Sequence, residues 1–423
     1  MLREMTDVIV IGGGPGGCTA ATLLAQKGFS VLLLERERFP RFQIGESMLP
    51  FSNDLLNRLG IMDQLVEGDF TPKYGAEFVT ADGKLNTVFR FDLNLGPKYQ
   101  RTFQVTRATF DELLMRNAEK HGVEVRQECA VTAVDTTDPN RAVVTTASGE
   151  RLEARFVVDA TGHNALLGTR NGSKEDLGQL RSVAVFAHYR NVPRAEGRRG
   201  GNIIVVVLRD AWFWLIPITK ELMSVGLVTT RDHVKACGLR PEELLERSIA
   251  ETPFVAERMR AAERVSEIRT RKDFSYAMRK IAGENFAMVG DAAGFLDPIF
   301  STGVYMAMKG ASLAADGIEQ RLRRGSMRLL RRYDRHFHRA FRRYLAFVSN
   351  FYTRPFLEVF LHPSPRFGLE KAIVNVLGGD VYGTDRWNRV RLALFFALVR
   401  LQRRFGTISP RIDWDALPPP ASV

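Results

Sequence analysis

Two four-residue apolar runs open the chain, Val8–Ile11 and Val31–Leu34. The first stops at the glycine cluster 12–17 and the second ends at Glu35. An unbroken apolar run of this length bounded by glycine predicts a strand buried on both faces. The segment Cys18–Lys27, closed by Gly28, has the length and composition of a helix. The pattern therefore predicts strand, glycine turn, helix and strand, one complete βαβ unit. Gly12, Gly14 and Gly17 stand at G-x-G-x-x-G spacing. That spacing permits a tight turn, backbone approach to a pyrophosphate and close helix packing, with the helix N-terminus facing the phosphate charge. Glu35 falls where a ribose hydroxyl needs an acceptor. A glycine fingerprint alone is weak, but with this order of elements around it the segment predicts a dinucleotide-binding unit.

Two distant segments share the habit of a buried strand running into small residues. Residues 156–162 read Phe-Val-Val-Asp-Ala-Thr-Gly, ending at Asp159 and Gly162; residues 286–294 read Phe-Ala-Met-Val-Gly-Asp-Ala-Ala-Gly, containing Gly290 and Asp291. Small residues there let backbone pass close to a cofactor, and Asp291 can accept from one of its hydroxyls. A helix is expected over Gly303–Arg321. Between these pieces, residues 181–227 alternate apolar and polar positions (Ile203, Val205, Val207, Trp212, Trp214, Ile216), predicting an antiparallel sheet. The expected fold class is α/β. A discontinuous Rossmann-type domain (1–175 and 270–320) is followed by a substrate-side sheet domain (176–269 with parts of 40–110) and a C-terminal arginine-rich helical region (321–423).

Composition narrows the class. With 423 residues and 45% hydrophobic content the chain can bury a large core. No signal-peptide pattern opens it, and the apolar run Leu392–Val399 is far short of the roughly 20 residues that span a bilayer, so a cytoplasmic protein is expected. Cys18, Cys129 and Cys237 lie far apart without histidines at ligand spacing, so they read as reduced structural thiols and no metal site is expected. The net charge of +12 is concentrated, with ten arginines between Arg321 and Arg343. Such a run ordinarily marks a solvated helix face; an acidic carrier protein or peripheral contact with an anionic membrane also suits it. Nucleic acid is not expected, because no recognition motif accompanies the charge.

Gly12–Gly17, Asp159–Gly162 and Gly290-Asp291 together resemble the glutathione-reductase-type FAD proteins, and within them the hydroxylase-like superfamily, over residues 7–320. Three further segments resemble the flavin-dependent halogenases. Gly45-Glu46-Ser47-Met48-Leu49-Pro50 is similar to that family's G-E-S-x-x-P segment, which couples the flavin site to the substrate site. Trp212-Phe-Trp214-Leu-Ile-Pro217 matches W-x-W-x-I-P, and Lys73 falls where the family places the lysine that receives or orients hypohalous acid. Taken singly these are a core tryptophan pair, turn residues and a surface lysine; their common order in the chain is what carries the resemblance.

The resemblance implies a halogenase that takes FADH2 from a separate flavin reductase and uses O2 with chloride or bromide to make hypohalous acid. Lys73 would carry the oxidant to an electron-rich aromatic substrate. The implied cofactor-binding set is Gly12, Gly14, Pro15, Gly17, Glu35, Gly45, Glu46, Ser47, Arg107, Asp159, Gly162, Gly290, Asp291 and Pro298. Thr302 and Gly303 match the halide site, while Trp212, Trp214 and Phe300 fall on the substrate side. Halogenases of free tryptophan carry a glutamate just before Ser-Thr-Gly, where this chain has Phe300, so Asp297-Pro-Ile-Phe-Ser-Thr-Gly is similar instead to the enzymes of phenols, pyrroles and carrier-bound substrates. The arginine run would then steer an acidic carrier protein. Competing readings are an FAD-dependent monooxygenase, a geranylgeranyl-reductase-like enzyme, whose Phe and Lys after the second tryptophan are absent from Ile216-Pro217-Ile218, and an inert flavin-binding partner.

Overall fold

The computed structural model describes residues 5–170, 172–364, 366–383 and 385–422. Thr6–Ile11 lies inside the first sheet, parallel to Val31–Leu34 on one side and to Arg151–Asp159 on the other. The sheet runs in the order 124–126, 31–34, 6–11, 151–159, 141–146, 131–138. The C-terminal half of Arg151–Asp159 also pairs in parallel with Phe286–Met288, which brings the two distant segments into one sheet. Ile11, Leu34, Asp159 and Met288 therefore end at a common carboxyl edge, where open parallel sheets bind ligands.

Helix α1 (Pro15–Gln26) starts three residues before the sequence pattern places it. Proline supplies the fixed φ of a first helical position and has no N–H to waste there. Helix α2 (Arg107–Lys120) packs on α1, as does helix α3 (Gly303–Arg324), which extends one turn beyond the expected Arg321 to end at the left-handed Gly325. Gly16 makes the α1–α3 contact close, since a Cβ there would stand 3.4 Å from Ala307 Cβ.

The second sheet has nine strands, ordered 294–295, 269–278, 174–190, 223–230, 211–217, 203–207, 75–80, 86–90, with 263–264 beside 174–190. Most pairs are antiparallel, as the alternation predicts. Ile203–Val207 instead runs parallel to Gly75–Thr80, so a segment from the first hundred residues completes the layer.

Four helices follow: α4 (Arg328–Phe351), α5 (Arg354–Leu361), α6 (Leu369–Gly378) and α7 (Arg386–Phe405). In α4, Leu330, Tyr333, Phe337, Ala340, Phe341, Tyr344, Phe347, Val348 and Phe351 recur at three- and four-residue spacing and are buried. Burying each large side chain of this kind is worth about 1.5–3 kcal/mol, which explains why a helix so rich in arginine stays docked. Its exposed face carries the charge. Among the described residues no helix is long and apolar enough to cross a membrane.

Candidate active site

The carboxyl edge of the first sheet, the face of the second and the N-termini of α1 and α3 enclose a cavity of about 890 Å³. Gly12, Gly14, Pro15, Glu35 and Gly162 line it along the first sheet, and Trp212, Trp214 and Ile216 along the second. Gly45–Ser47, Arg107 and the 298–303 loop form the wall between.

The glycine turn is fixed by backbone sterics. A Cβ at Gly17 would stand 1.8 Å from the Gly12 carbonyl oxygen, and one at Gly12, whose φ is +106°, 2.4 Å from the Ala160 carbonyl oxygen. Gly14 differs: its nearest neighbour would be Arg41 at 3.8 Å, so the turn is open towards the cavity there. Glu35 holds the turn in place, accepting from the N–H of Gly13 (2.6 Å) and of Glu37 (2.9 Å) while still facing the cavity. Gly17 thus acts through packing rather than through contact. Asp159 also stays behind the wall: its buried carboxylate accepts from Thr161 N, Thr161 Oγ1 and Leu167 N at 3.0, 2.7 and 2.8 Å. It shapes the turn that presents Thr161 and Gly162. Burial raises the Asp159 pKa. Asp291 does line the cavity, with His163 Nδ1 3.3 Å from its carboxylate.

Arg107 anchors the next loop. It makes a two-point ion pair with Asp111 at 2.8 and 2.8 Å and donates to the Ile44 carbonyl. Asp111 also takes Arg41 at 3.2 Å. Gly45 has φ +103°, and a Cβ there would sit 2.9 Å from the Arg107 guanidinium, so this turn needs glycine. The two residues that follow are each backed by a base. His188 Nε2 lies 2.8 Å from Glu46 Oε1, while Lys73 Nζ donates to Ser47 Oγ at 2.9 Å and to the Met48 carbonyl at 3.0 Å. Lys73 is 2% exposed. With no carboxylate to compensate its burial, its pKa falls to about 7, so the amine is largely uncharged above neutrality. Ser47 faces the cavity and Lys73 stands immediately behind it.

The halide-motif loop is held by a buried network. Asp297 Oδ1 accepts from Ile299 N at 3.1 Å, and Oδ2 accepts from Ser182 Oγ at 3.0 Å and from Tyr352 at 2.7 Å. Trp212 Nε1 in turn donates to the Tyr352 hydroxyl at 3.0 Å, and Trp214 Nε1 donates to Ser224 Oγ at 3.0 Å. Tyr352 is partly exposed, but its hydroxyl is engaged inward, and burial of that group beside Asp297 pushes its pKa up. Ser301 adopts φ +55°, unusual for a residue with a side chain, and turns Thr302 and Gly303 into the cavity at the start of α3. The first N–H groups of a helix have no partner within it, so this end offers donors to an anion. Phe300 faces away from the cavity, packed between Phe347, Phe351 and Phe360 at centroid distances of 5.9, 5.7 and 6.3 Å.

The structure thus brings Gly12, Gly14, Pro15, Glu35, Gly45, Glu46, Ser47, Arg107, Gly162, Gly290, Asp291, Pro298, Thr302, Gly303, Trp212 and Trp214 onto one cavity. Gly17, Asp159, Lys73 and Phe300 lie one layer behind. Sequence reasoning misses His188 and Tyr352, which sit in an ordinary strand and just past the end of an ordinary amphipathic helix; only the fold places them against Glu46 and Asp297. The cavity suits a flavin dinucleotide on two observations. Gly14 leaves an open cradle at the N-terminus of α1, and Glu46 Oε2 is a buried acceptor in the wall without a donor among the described residues.

Comparison with known proteins agrees. Residues 94–355 match the tryptophan halogenase family, and residues 7–179 the FAD-dependent oxidoreductases. The chain is 29% identical over 407 residues to a 1H-pyrrole-2-carbonyl peptidyl-carrier-protein chlorinase of Pseudomonas fluorescens, covering 90% of each chain. It is 33% identical over 321 residues to the corresponding brominase of Pseudoalteromonas luteoviolacea, covering 74% of this chain and 77% of the relative. Among solved structures, the myxobacterial chondrochloren halogenase superposes with a TM-score of 0.78 at 32% identity, covering 94% of this chain and 98% of that one. The residues that resemble the halogenases, the cavity at the glycine turn and these relatives converge: the chain is a flavoprotein enzyme and belongs to the flavin-dependent halogenase family.

Proposed function

We propose that this halogenase acts on an electron-rich ring of the phenol or pyrrole class, carried on an acidic carrier protein, with Lys73 as the residue that relays the halogen. The observation that carries this reading is the buried amine of Lys73, uncompensated by any carboxylate and hydrogen-bonded to the cavity-facing Ser47. The carrier-protein chlorinase and brominase among the relatives support a tethered ring. Phe300, turned into the core, leaves no carboxylate at the position that free-tryptophan enzymes use.

Reduced FAD, delivered by a separate flavin reductase, supplies with O2 the oxidising power that converts chloride or bromide to hypohalous acid. The side chains do the rest. Gly12, Gly14, Pro15 and Glu35 would hold the nucleotide half of the cofactor, and Gly45, Glu46 and Pro298 would border its ring. The N–H groups of Thr302 and Gly303 hold the halide at the start of α3. Lys73, as the free amine, attacks the halogen: an N–halogen bond forms, the oxygen–halogen bond breaks, and an Nζ proton leaves with hydroxide as water. The ring carbon then takes the halogen, and the proton it loses restores the amine. Trp212 and Trp214 offer apolar faces against which a ring can lie, with their N–H groups already engaged by Tyr352 and Ser224. Trapping the oxidant on nitrogen prevents its escape to water.

The test supplies FAD, a flavin reductase, NADH, O2 and bromide with a pyrrole-loaded carrier protein, alongside free phenols, and reads products by mass spectrometry. A halogen isotope pattern on the carrier-bound ring is the expected result. Addition of oxygen alone, with nicotinamide consumed in the absence of the reductase, would replace this reading with a monooxygenase; a reduced double bond would point to a reductase.

A further inference from the structure

Helix α7 packs on the protein through Asn388, Phe395, Val399 and Gln402, flanked by the half-buried Leu392, Phe396 and Leu398. A second row, Trp387, Val390, Leu394, Leu401 and Phe405, repeats at helical spacing and faces solvent, with Trp387 71% exposed and Phe405 55% exposed. From first to last the row is about 27 Å long at helical rise. Single exposed apolar residues are normal on a protein surface, but five on one side of a single helix mark a contact. Ile408 prolongs it, and a small cavity of about 140 Å³ lined in part by Leu398 and Ile408 lies alongside.

Charge accompanies the row. Arg386, Arg389, Arg400 and Arg404 each precede a member of the row by one residue, so they form a parallel row about 100° around the helix. No Asp or Glu occurs in α7. Arg343 of α4 lies near enough to Arg339 and Arg389 for their charges to help lower its pKa, which joins the basic faces of the two helices.

We infer that α7 is a docking ridge for an anionic lipid surface, on which it lies lengthwise with its apolar row in the acyl boundary and its arginines among the headgroups. A helix with aromatic residues at both ends of one apolar row, arginines beside it and no acidic residue is the pattern that settles in the plane of a bilayer interface. A straight ridge of this length meets a flat bilayer along all of it, whereas a convex acidic protein would cover only part. This docking is independent of the reaction proposed above.

The test is co-sedimentation of the full-length protein with phosphatidylcholine vesicles, with and without phosphatidylglycerol. Binding only to the anionic vesicles, weakening as salt rises and accompanied by a blue shift of tryptophan fluorescence, is the expected result. Each arginine at an anionic surface is worth roughly a fivefold change in partitioning, so Arg386→Gln with Arg400→Gln should lower it about 25-fold. Trp387→Ser with Phe405→Ser should lower it at least as far while FAD content stays the same. The inference is overturned if the wild type fails to bind anionic vesicles, if either double variant binds as well as the wild type, or if the row proves to be covered in a homodimer or by a carrier protein instead.

Discussion

Along the first sheet the cavity wall is backbone: a glycine turn, two helix N-termini and strand ends, held at Gly12 and Gly17 by contacts in which a single added carbon has no room. Along the second sheet the wall is side chain. Trp212 lines it, and Ser182, Asp297 and Tyr352, from three further segments, back it through a chain of hydrogen bonds. The difference teaches where tolerance lies. A backbone wall fails outright where backbone touches backbone, as at Gly17, since nothing there can move aside; a side-chain wall loses one bond at a time.

The sharpest way to break this comparison is at the glycine turn. Gly17→Ala, with its Cβ 1.8 Å from the Gly12 oxygen, should abolish folding of the nucleotide lobe and yield protein without flavin. Gly14→Ala, with nothing nearer than 3.8 Å, should fold normally and lose FAD affinity alone. Thermal midpoints and bound-flavin absorbance separate the two, and equal damage from both would end the distinction. Behind Ser47, Lys73→Met should stabilise the protein at pH 6 by roughly 2–4 kcal/mol. The sign follows from the depressed pKa. Between pH 7 and 10.5 the folded state binds fewer protons than the unfolded one, so the cost of burying Lys73 grows as pH falls from 10.5 to about 7 and is constant below. The gain should therefore shrink at high pH; denaturant titrations across pH read it directly.

Tyr352→Phe removes the donor to Asp297 and the acceptor for Trp212, and should cost about 1–3 kcal/mol while leaving FAD binding unchanged. A loss of FAD affinity in this variant would mean that the two walls are not independent. The smallest effect is expected far from both. Arg331, Arg332 and Arg335 are exposed, and burial together with the charges of Arg332, Arg339 and Arg335 holds the neighbouring His336 below its usual pKa. Reversing all three to glutamate should lower kcat/KM for a carrier-bound substrate about tenfold at low salt and leave free phenols unaffected.

The backbone wall is the part that the sequence displays. Gly12, Gly14, Gly17 and Glu35 are close together and obey steric rules that any chain must follow. The short motifs around Lys73, Thr302 and Trp212 are legible for the same reason, each being local. His188 and Tyr352 carry no local signature, because a histidine in a strand and a tyrosine ending an amphipathic helix acquire partners only when remote segments pack. Gly75–Thr80 joins the second sheet in parallel, a pairing that alternation within the strand does not specify. Phe300 reads from its motif as substrate-facing, yet the aromatic helices of the C-terminal region draw it inward.

The central claim concerns the amine behind Ser47. The measurement that tests it most directly compares wild type with Lys73→Met in the reconstituted reaction, with flavin binding checked in both and product read by halogen isotope pattern across pH. The account predicts wild-type turnover that rises through pH 7 as the amine loses its proton, and a variant that binds FAD normally but makes no halogenated product. Halogenation retained by Lys73→Met, or a wild-type rate that falls as pH rises through 7, would contradict it.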